Sequence, residues 1–267
     1  MLRPPSPSRR PAVVPAWRWA FLGALLGLSL ALLVYAPASW LAAALHKASA
    51  GQLQLIEARG TVWTGSARLL FTGGAGSRDS AVLPGHVDWQ LRPGWLALKL
   101  RVNADCCMSL PLQGRLAQRW GRASLQLADG VSQWPAAVLA GLGTPWNTVQ
   151  AEGNLRLVTQ GLSAEWLAGR LVLAGHAELT AQAMSSRLST LKPMGSYRLA
   201  LTGGPTPALE LATLEGSLQL SGSGRWVGSR LRFEGVASAS PEHEAALANL
   251  LNIIGRRTGA RSIITLG

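Results

Sequence analysis

Over most of this chain the apolar residues fall at every second position, and that spacing leaves few folds open. Leu96, Leu98, Leu100 and Val102 alternate with Ala97, Lys99 and Arg101. Val87, Trp89 and Leu91 alternate with Asp88 and Gln90. The same step separates Leu53 from Leu55, Leu125 from Leu127, Leu155 from Leu157 and Leu171 from Leu173. It recurs at Leu199 and Leu201, Leu209 and Leu211, Leu218 and Leu220, and Leu231 and Phe233. A period of two sets one face on a core and the other toward water. Ten such runs, separated by Gly, Pro and Ser clusters, predict antiparallel sheets in series, curved or elongated, with hairpin repeats. The fold class is mainly β.

Helical spacing is confined to a few places. A short apolar helix is expected around Ser39–Lys47, and another near Trp134-Pro135 that carries Val138, Leu139 and Leu142. Ser240-Pro241-Glu242 is a start signal, with a capping hydroxyl, a first-turn proline and an early acid. Leu247, Leu250, Leu251 and Ile254 then line one face, and Gly255 stops the helix. Trp63-Thr64-Gly65-Ser66, Trp166-Leu167-Ala168-Gly169-Arg170 and Trp226-Val227-Gly228-Ser229 each precede a leucine-rich strand. They are read either as a recurring hairpin or as a by-product of abundant Trp and Gly.

The N-terminal segment has a different pattern. No charged residue lies between Trp19 and Leu45. Roughly 20 apolar residues are needed to cross a hydrocarbon core of about 30 Å. Trp17, Trp19, Tyr35 and Trp40 stand near the two ends, where amphipathic rings favour the headgroup zone. Arg3, Arg9, Arg10 and Arg18 precede the run, and the positive-inside tendency keeps that end cytoplasmic. The expected organisation is a disordered cytoplasmic tail at 1–16, a transmembrane helix at 17–40 and a periplasmic β-rich domain at 41–267. The expected location is the inner membrane of a Gram-negative bacterium, single-pass, with the C-terminal domain periplasmic. A cleavable signal peptide is the competing reading. Ala36-Pro37-Ala38 imitates a cut site, although the apolar run exceeds the 7–15 residues of a signal core.

The formal charge is +12, yet charged residues make up only 14% of the chain. Setting aside the four N-terminal arginines leaves 21 basic residues against 13 acidic ones. These are single arginines among leucines and glycines, without the dense basic face and stacking aromatics that a nucleic acid requires. A mildly basic domain beside anionic headgroups is the simpler account.

Chemistry-bearing constellations are scarce. His46, His86, His176 and His243 include no pair at zinc-helix spacing. Neither a nucleophile elbow nor a phosphate-cradling glycine loop occurs, and Gly73-Gly74-Ala75-Gly76-Ser77 has the composition of a flexible loop. Glu242 and Glu244 fall at a helix start, where the macrodipole favours acids. No catalytic residue, metal site or cofactor is expected, and the chain is not read as an enzyme. Cys106 and Cys107 are the one unusual pair. In an oxidising compartment they form a vicinal disulfide, remain two ordinary thiols, or bridge to another chain.

The order of short motifs resembles the N component of the bacterial type II secretion system. After the apolar segment comes Gly60-Thr61-Val62-Trp63-Thr64-Gly65, then Val87-Asp88-Trp89-Gln90-Leu91-Arg92-Pro93. Further on stand Leu191-Lys192-Pro193-Met194-Gly195-Ser196-Tyr197 and Gly216-Ser217-Leu218-Gln219-Leu220-Ser221-Gly222-Ser223-Gly224-Arg225-Trp226. The series closes with Leu250-Leu251-Asn252-Ile253-Ile254-Gly255-Arg256-Arg257. The resemblance marks Gly60, Trp63, Gly65, Trp89 and Pro93, then Pro193, Gly195, Tyr197, Gly216, Gly224, Trp226 and Gly255, as structural positions. It implies a non-catalytic inner-membrane component with a scaffolding or assembly role in exoprotein secretion across the outer membrane. Its implied partners are the inner-membrane platform proteins and, through them, the outer-membrane secretin. The alternative is a periplasmic carrier that holds a lipid or other apolar ligand in a β-groove.

Overall fold

A computed structural model of the chain describes residues 17–74, 76–119, 121–167, 170–228 and 230–267. The tail expected at 1–16 lies outside the described residues, as do Ala75 of the glycine loop and Ala168, Gly169 and Ser229 of the Trp–Gly runs. The structure divides into two units, with the boundary between Ala36 and Pro37.

In the first unit, helix α1 covers Trp17–Val34, 18 residues. At about 1.5 Å per residue its described part is roughly 27 Å long. Among the described residues no helix is long and apolar enough to cross a membrane. The continuous helix expected over 17–40 is therefore corrected. It stops at Val34, Tyr35 forms a turn, and a second helix, α2, begins at Ala38 and runs to Ala48. Pro37 explains the break, because a proline lacks the N–H that an interior turn needs and pushes the residue before it out of the helical region. Its own backbone is extended, at φ −69° and ψ 148°.

Among the described residues, the second unit is one antiparallel sheet of 16 strands rather than several in series. Its first half comprises β1 (Leu53–Gly60), β2 (Thr64–Thr72), β3 (Ser80–Val82), β4 (Val87–Pro93), β5 (Ala97–Ala104), β6 (Leu112–Arg119), β7 (Arg122–Leu127) and β8 (Gly130–Pro135). A 3-10 helix at Ala136–Leu142 and the one-turn α3 (Trp146–Val149) lead to β9 (Ala151–Leu167) and β10 (Arg170–Ser186). Then come β11 (Gly195–Thr202), β12 (Ala208–Gly216), β13 (Leu218–Val227) and β14 (Arg230–Ala239). Helix α4 (Glu244–Ile254) precedes the closing hairpin of β15 (Arg256–Thr258) and β16 (Arg261–Leu266). The sheet is open, with β1 and β15 as its terminal strands; β3 hangs on β2, and β8 on the first half of β9.

The register sorts the alternating residues cleanly. Leu98 lies opposite Leu116, Leu116 opposite Leu125, and Leu125 opposite Ala164, which faces Leu173. The same apolar face continues through Leu201, Leu209, Gly224 and Phe233. The opposite face carries Lys99, Arg115, Gln126 and Glu210. This is the division that antiparallel sheets with one solvated face make.

The two strand-end rims differ. One carries the hairpin turns at 61–63, 94–96 and 203–207, with those after Arg119, Leu167 and Val227. The other carries the 3-10 helices, α3 and α4. There Ala136, Val149, Met184, Tyr197, Leu218, Leu247, Leu250 and Leu251 form the largest buried cluster. Leu83, Val87, Ala104, Cys107 and Val138 form a second, and Ala38 with Ala67 and Trp89 a third, beneath α2. Toward the hairpin rim the apolar face is only half covered: Leu98, Leu125, Leu173 and Leu201 are half-buried, and Leu116 and Trp166 are exposed.

The C-terminal start signal works differently from expectation. Ser240 makes no capping bond to a backbone N–H; its hydroxyl pairs with His243 Nδ1 at 3.1 Å, and a 3-10 turn over Pro241–His243 precedes α4. Gly255 does end α4, but in extended backbone rather than a left-handed cap. The β16 backbone passes so close that a Cβ at Gly255 would stand 2.5 Å from the Ile263 carbonyl oxygen.

Candidate functional site

The motif residues separate into structural knots at different places in the sheet. Gly60, Trp63, Gly65 and Trp89 meet at the hairpin between β1 and β2. The Trp89 indole N–H donates to the carbonyl oxygens of Val62 at 3.1 Å and Thr61 at 3.3 Å. Its ring lies against Gly65, where a Cβ would come within 2.5 Å of Cζ2. Gly60 has a φ of +89°, which L side chains rarely adopt. Leu91 N–H donates to the Trp63 carbonyl and fastens β4 to the turn. Pro93 pairs with Leu98 at the exposed end of β4.

A second knot joins Gly195, Tyr197 and Gly216 at the helix-bearing rim, while Pro193 stands exposed in the loop before β11. Gly195 stands opposite Gly216 across β11 and β12. A Cβ at Gly195 would lie 2.6 Å from the Glu215 carbonyl oxygen and 2.8 Å from Tyr197 Oη, and a Cβ at Gly216 would strike the Gly195 backbone. The Tyr197 phenol is buried and has no hydrogen-bond partner among the described residues, and burial pushes its pKa up. Gly224 lies beneath Leu231 and Phe233, and Trp226 pairs with Leu231 near the hairpin rim. None of these arrangements places an acid, a base and a nucleophile together.

Cys106 and Cys107 are joined to each other in the loop after β5. Cys107 is buried in the second cluster, and its carbonyl accepts the Gln133 N–H at 2.8 Å. His46 and His86 are exposed, while His176 and His243 are half-buried and bonded to neighbouring hydroxyls. Among the described residues, no group of three or more His, Cys, Asp or Glu stands ready to hold a metal ion.

Linear reading missed a basic hollow on the polar face. Arg92 pairs with Lys99 and Lys99 with Arg115, while Gln90 pairs with Arg101 and Arg101 with Gln113. With Gln126 these side chains line a cavity of about 510 Å³. The signal was present in the polar phase of the alternation, but the four strands that supply it are separated by turns and only their register aligns them.

The family model for type II secretion system protein N matches residues 51–264, nearly the whole sheet unit. The chain belongs to the type II secretion system protein N family. Membership makes it a component of type II protein secretion and implies interaction with other components of that system. No curated protein and no solved structure matches it. The matched region contains both knots, so the family's motif order corresponds here to places where backbone approaches backbone or a ring.

Proposed function

We propose that this protein N family member is a non-catalytic scaffold or assembly factor of the secretion system. It is held in the inner membrane by the apolar N-terminal segment that includes α1, with its N-terminus cytoplasmic and its sheet unit in the periplasm. The family match over 51–264 carries the reading. The exposure of α1 supports its placement in lipid: Leu22, Leu26, Leu30 and Leu33 are each more than half exposed, and no charge lies between Trp19 and Val34. Trp17, Trp19 and Tyr35 near the helix ends suit the headgroup zones. The open sheet supports the scaffolding role, since terminal strands offer unpaired backbone to a neighbour's strand.

In-cell photo-crosslinking from Glu57 on β1 and Arg256 on β15, both exposed, tests the role. Adducts with the inner-membrane platform components are expected, and their absence from both positions refutes docking at the sheet ends. Protease treatment of spheroplasts tests placement, and a sheet unit that survives until the membrane is opened refutes the periplasmic assignment. The half-covered leucines favour one further reading, a carrier for a lipid or other apolar ligand. Adducts from Leu173 and Leu201 that are dominated by lipid would replace the scaffold with that carrier.

A further inference from the structure

The hairpin rim carries charge that the fold alone does not explain. Like charges directly opposite on neighbouring strands destabilise a sheet. Here Arg92 faces Lys99 and Lys99 faces Arg115, Arg119 faces Arg122, and Arg225 faces Arg232. Among the described residues none of these seven makes an ion pair; the ion pairs fall on Glu57, Glu152 and Glu244 instead. On the same face the acids at neighbouring register positions are Glu165 on β9, Glu210 on β12 and Glu234 on β14, and none of them pairs with these cations among the described residues.

The tips between those cations are apolar and bare. Trp95 is 98% exposed and Leu96 55%, and Leu167, Val227 and Leu266 are also exposed at the same rim. A rim that combines exposed indole and aliphatic tips with unpaired arginines has the composition of a bilayer-interface surface. Aromatic and aliphatic groups enter the headgroup boundary, and the guanidinium groups meet phosphate.

The path of the chain selects the partner. Pro37, the first residue of the sheet unit, pairs with Thr61 in the turn between β1 and β2, so the chain enters this unit at the hairpin rim. The exposed apolar helix α1 ends three residues earlier, at Val34. We propose that the hairpin rim docks on the surface of an anionic phospholipid bilayer, with headgroup phosphates taken up by Arg92, Lys99 and Arg115 in the hollow and by Arg119, Arg122 and Arg232 beside it. The proposal rests on the reading of α1 as the membrane anchor. It adds which end of the sheet faces the lipid and which lipid charge that end selects.

The full chain, reconstituted in nanodiscs, tests this with a photo-activatable residue at one of three exposed positions. Leu26 reports on α1, Trp95 on the hairpin rim and Leu110 on the opposite rim. In discs containing phosphatidylglycerol, lipid adducts are expected from positions 26 and 95 and not from 110. The adduct at 95 falls about tenfold in discs of phosphatidylcholine alone, and by a similar factor in the variant Arg119→Gln, Arg122→Gln, Arg225→Gln, Arg232→Gln. Lipid adducts from 26 with none from 95 overturn the rim while the anchor stands; the reverse overturns the anchor alone. Adducts at 95 with another protein or a second copy of this chain, equal labelling at 110, or indifference to lipid charge also overturn the proposal. The two disc compositions decide the matter on the unaltered arginines should the fourfold variant fail to fold.

Discussion

Replacing Tyr197 by Phe should stabilise the protein, although most buried substitutions do the opposite. The Tyr197 side chain is 7% exposed in the largest apolar cluster. Its hydroxyl has no hydrogen-bond partner among the described residues, and an unsatisfied buried donor costs about 1–3 kcal/mol. Phe keeps the ring and removes that cost, so a gain of about 1 kcal/mol is expected. In a domain of this size that raises the melting temperature by about 2–4 °C. Thermal or urea unfolding followed by tryptophan fluorescence reads the shift. The pH dependence supplies an independent sign. Burial raises the phenol's pKa above its ordinary value, so below about pH 10 both states keep the proton. Above that pH only the unfolded chain ionises, and stability falls by about 1.4 kcal/mol per pH unit from this group. The Phe variant lacks that component, and its advantage should grow from pH 9 to pH 11. A loss of more than about 1 kcal/mol at neutral pH would refute the reasoning, because it would mean the hydroxyl is satisfied.

Three further outcomes follow from the knots and the loop after β5. Gly65→Ala forces a Cβ against the Trp89 ring and should cost about 1–3 kcal/mol by overpacking, measured as a lower urea midpoint at an unchanged slope. Ser186→Ala removes the hydroxyl that donates to the Val149 carbonyl and accepts the Leu188 N–H. With Ser186 fully buried, a loss of about 2 kcal/mol is expected in the same assay. Cys106 and Cys107 should resist alkylation in non-reducing denaturant and take two labels after reduction, read by intact mass. Labelling before reduction, or a disulfide-linked dimer, would assign them to the other pairings.

The strand content was legible because the second unit keeps its apolar residues strictly in phase. Leu98, Leu100 and Val102 turn to one face, Lys99 and Arg101 to the other, and no packing detail is needed to see it. The helical run at Leu247–Ile254 was legible for the same reason at the other period. What sequence could not supply was register. Trp89 and the turn at 60–65 were both visible as motifs, yet nothing local shows that the indole of one caps the carbonyls of the other. Arg92, Lys99 and Arg115 read as isolated cations until three strands align them. The end of α1 was misjudged because hydropathy was counted through Pro37, whose backbone constraint outweighs the apolar residues that follow.

The distribution of stability within the sheet bears on why one rim tolerates repulsion. At the helix-bearing rim Glu152 pairs with Arg187 and Lys192, Glu244 pairs with Arg257, and α4 buries Leu247, Leu250 and Leu251. The like-charged pairs stand at the other rim, where the apolar face is half covered and, among the described residues, the arginines of those pairs make no ion pair. A sheet whose register is fixed at one end can carry unfavourable charge at the other, since each such pair costs at most about 1 kcal/mol. Local rules broken together in one region, and obeyed elsewhere, point to selection for a partner rather than for the fold. On that argument, neutralising the rim arginines should raise the unfolding temperature while weakening attachment to anionic lipid. A variant that lost both would show that the arginines serve the fold.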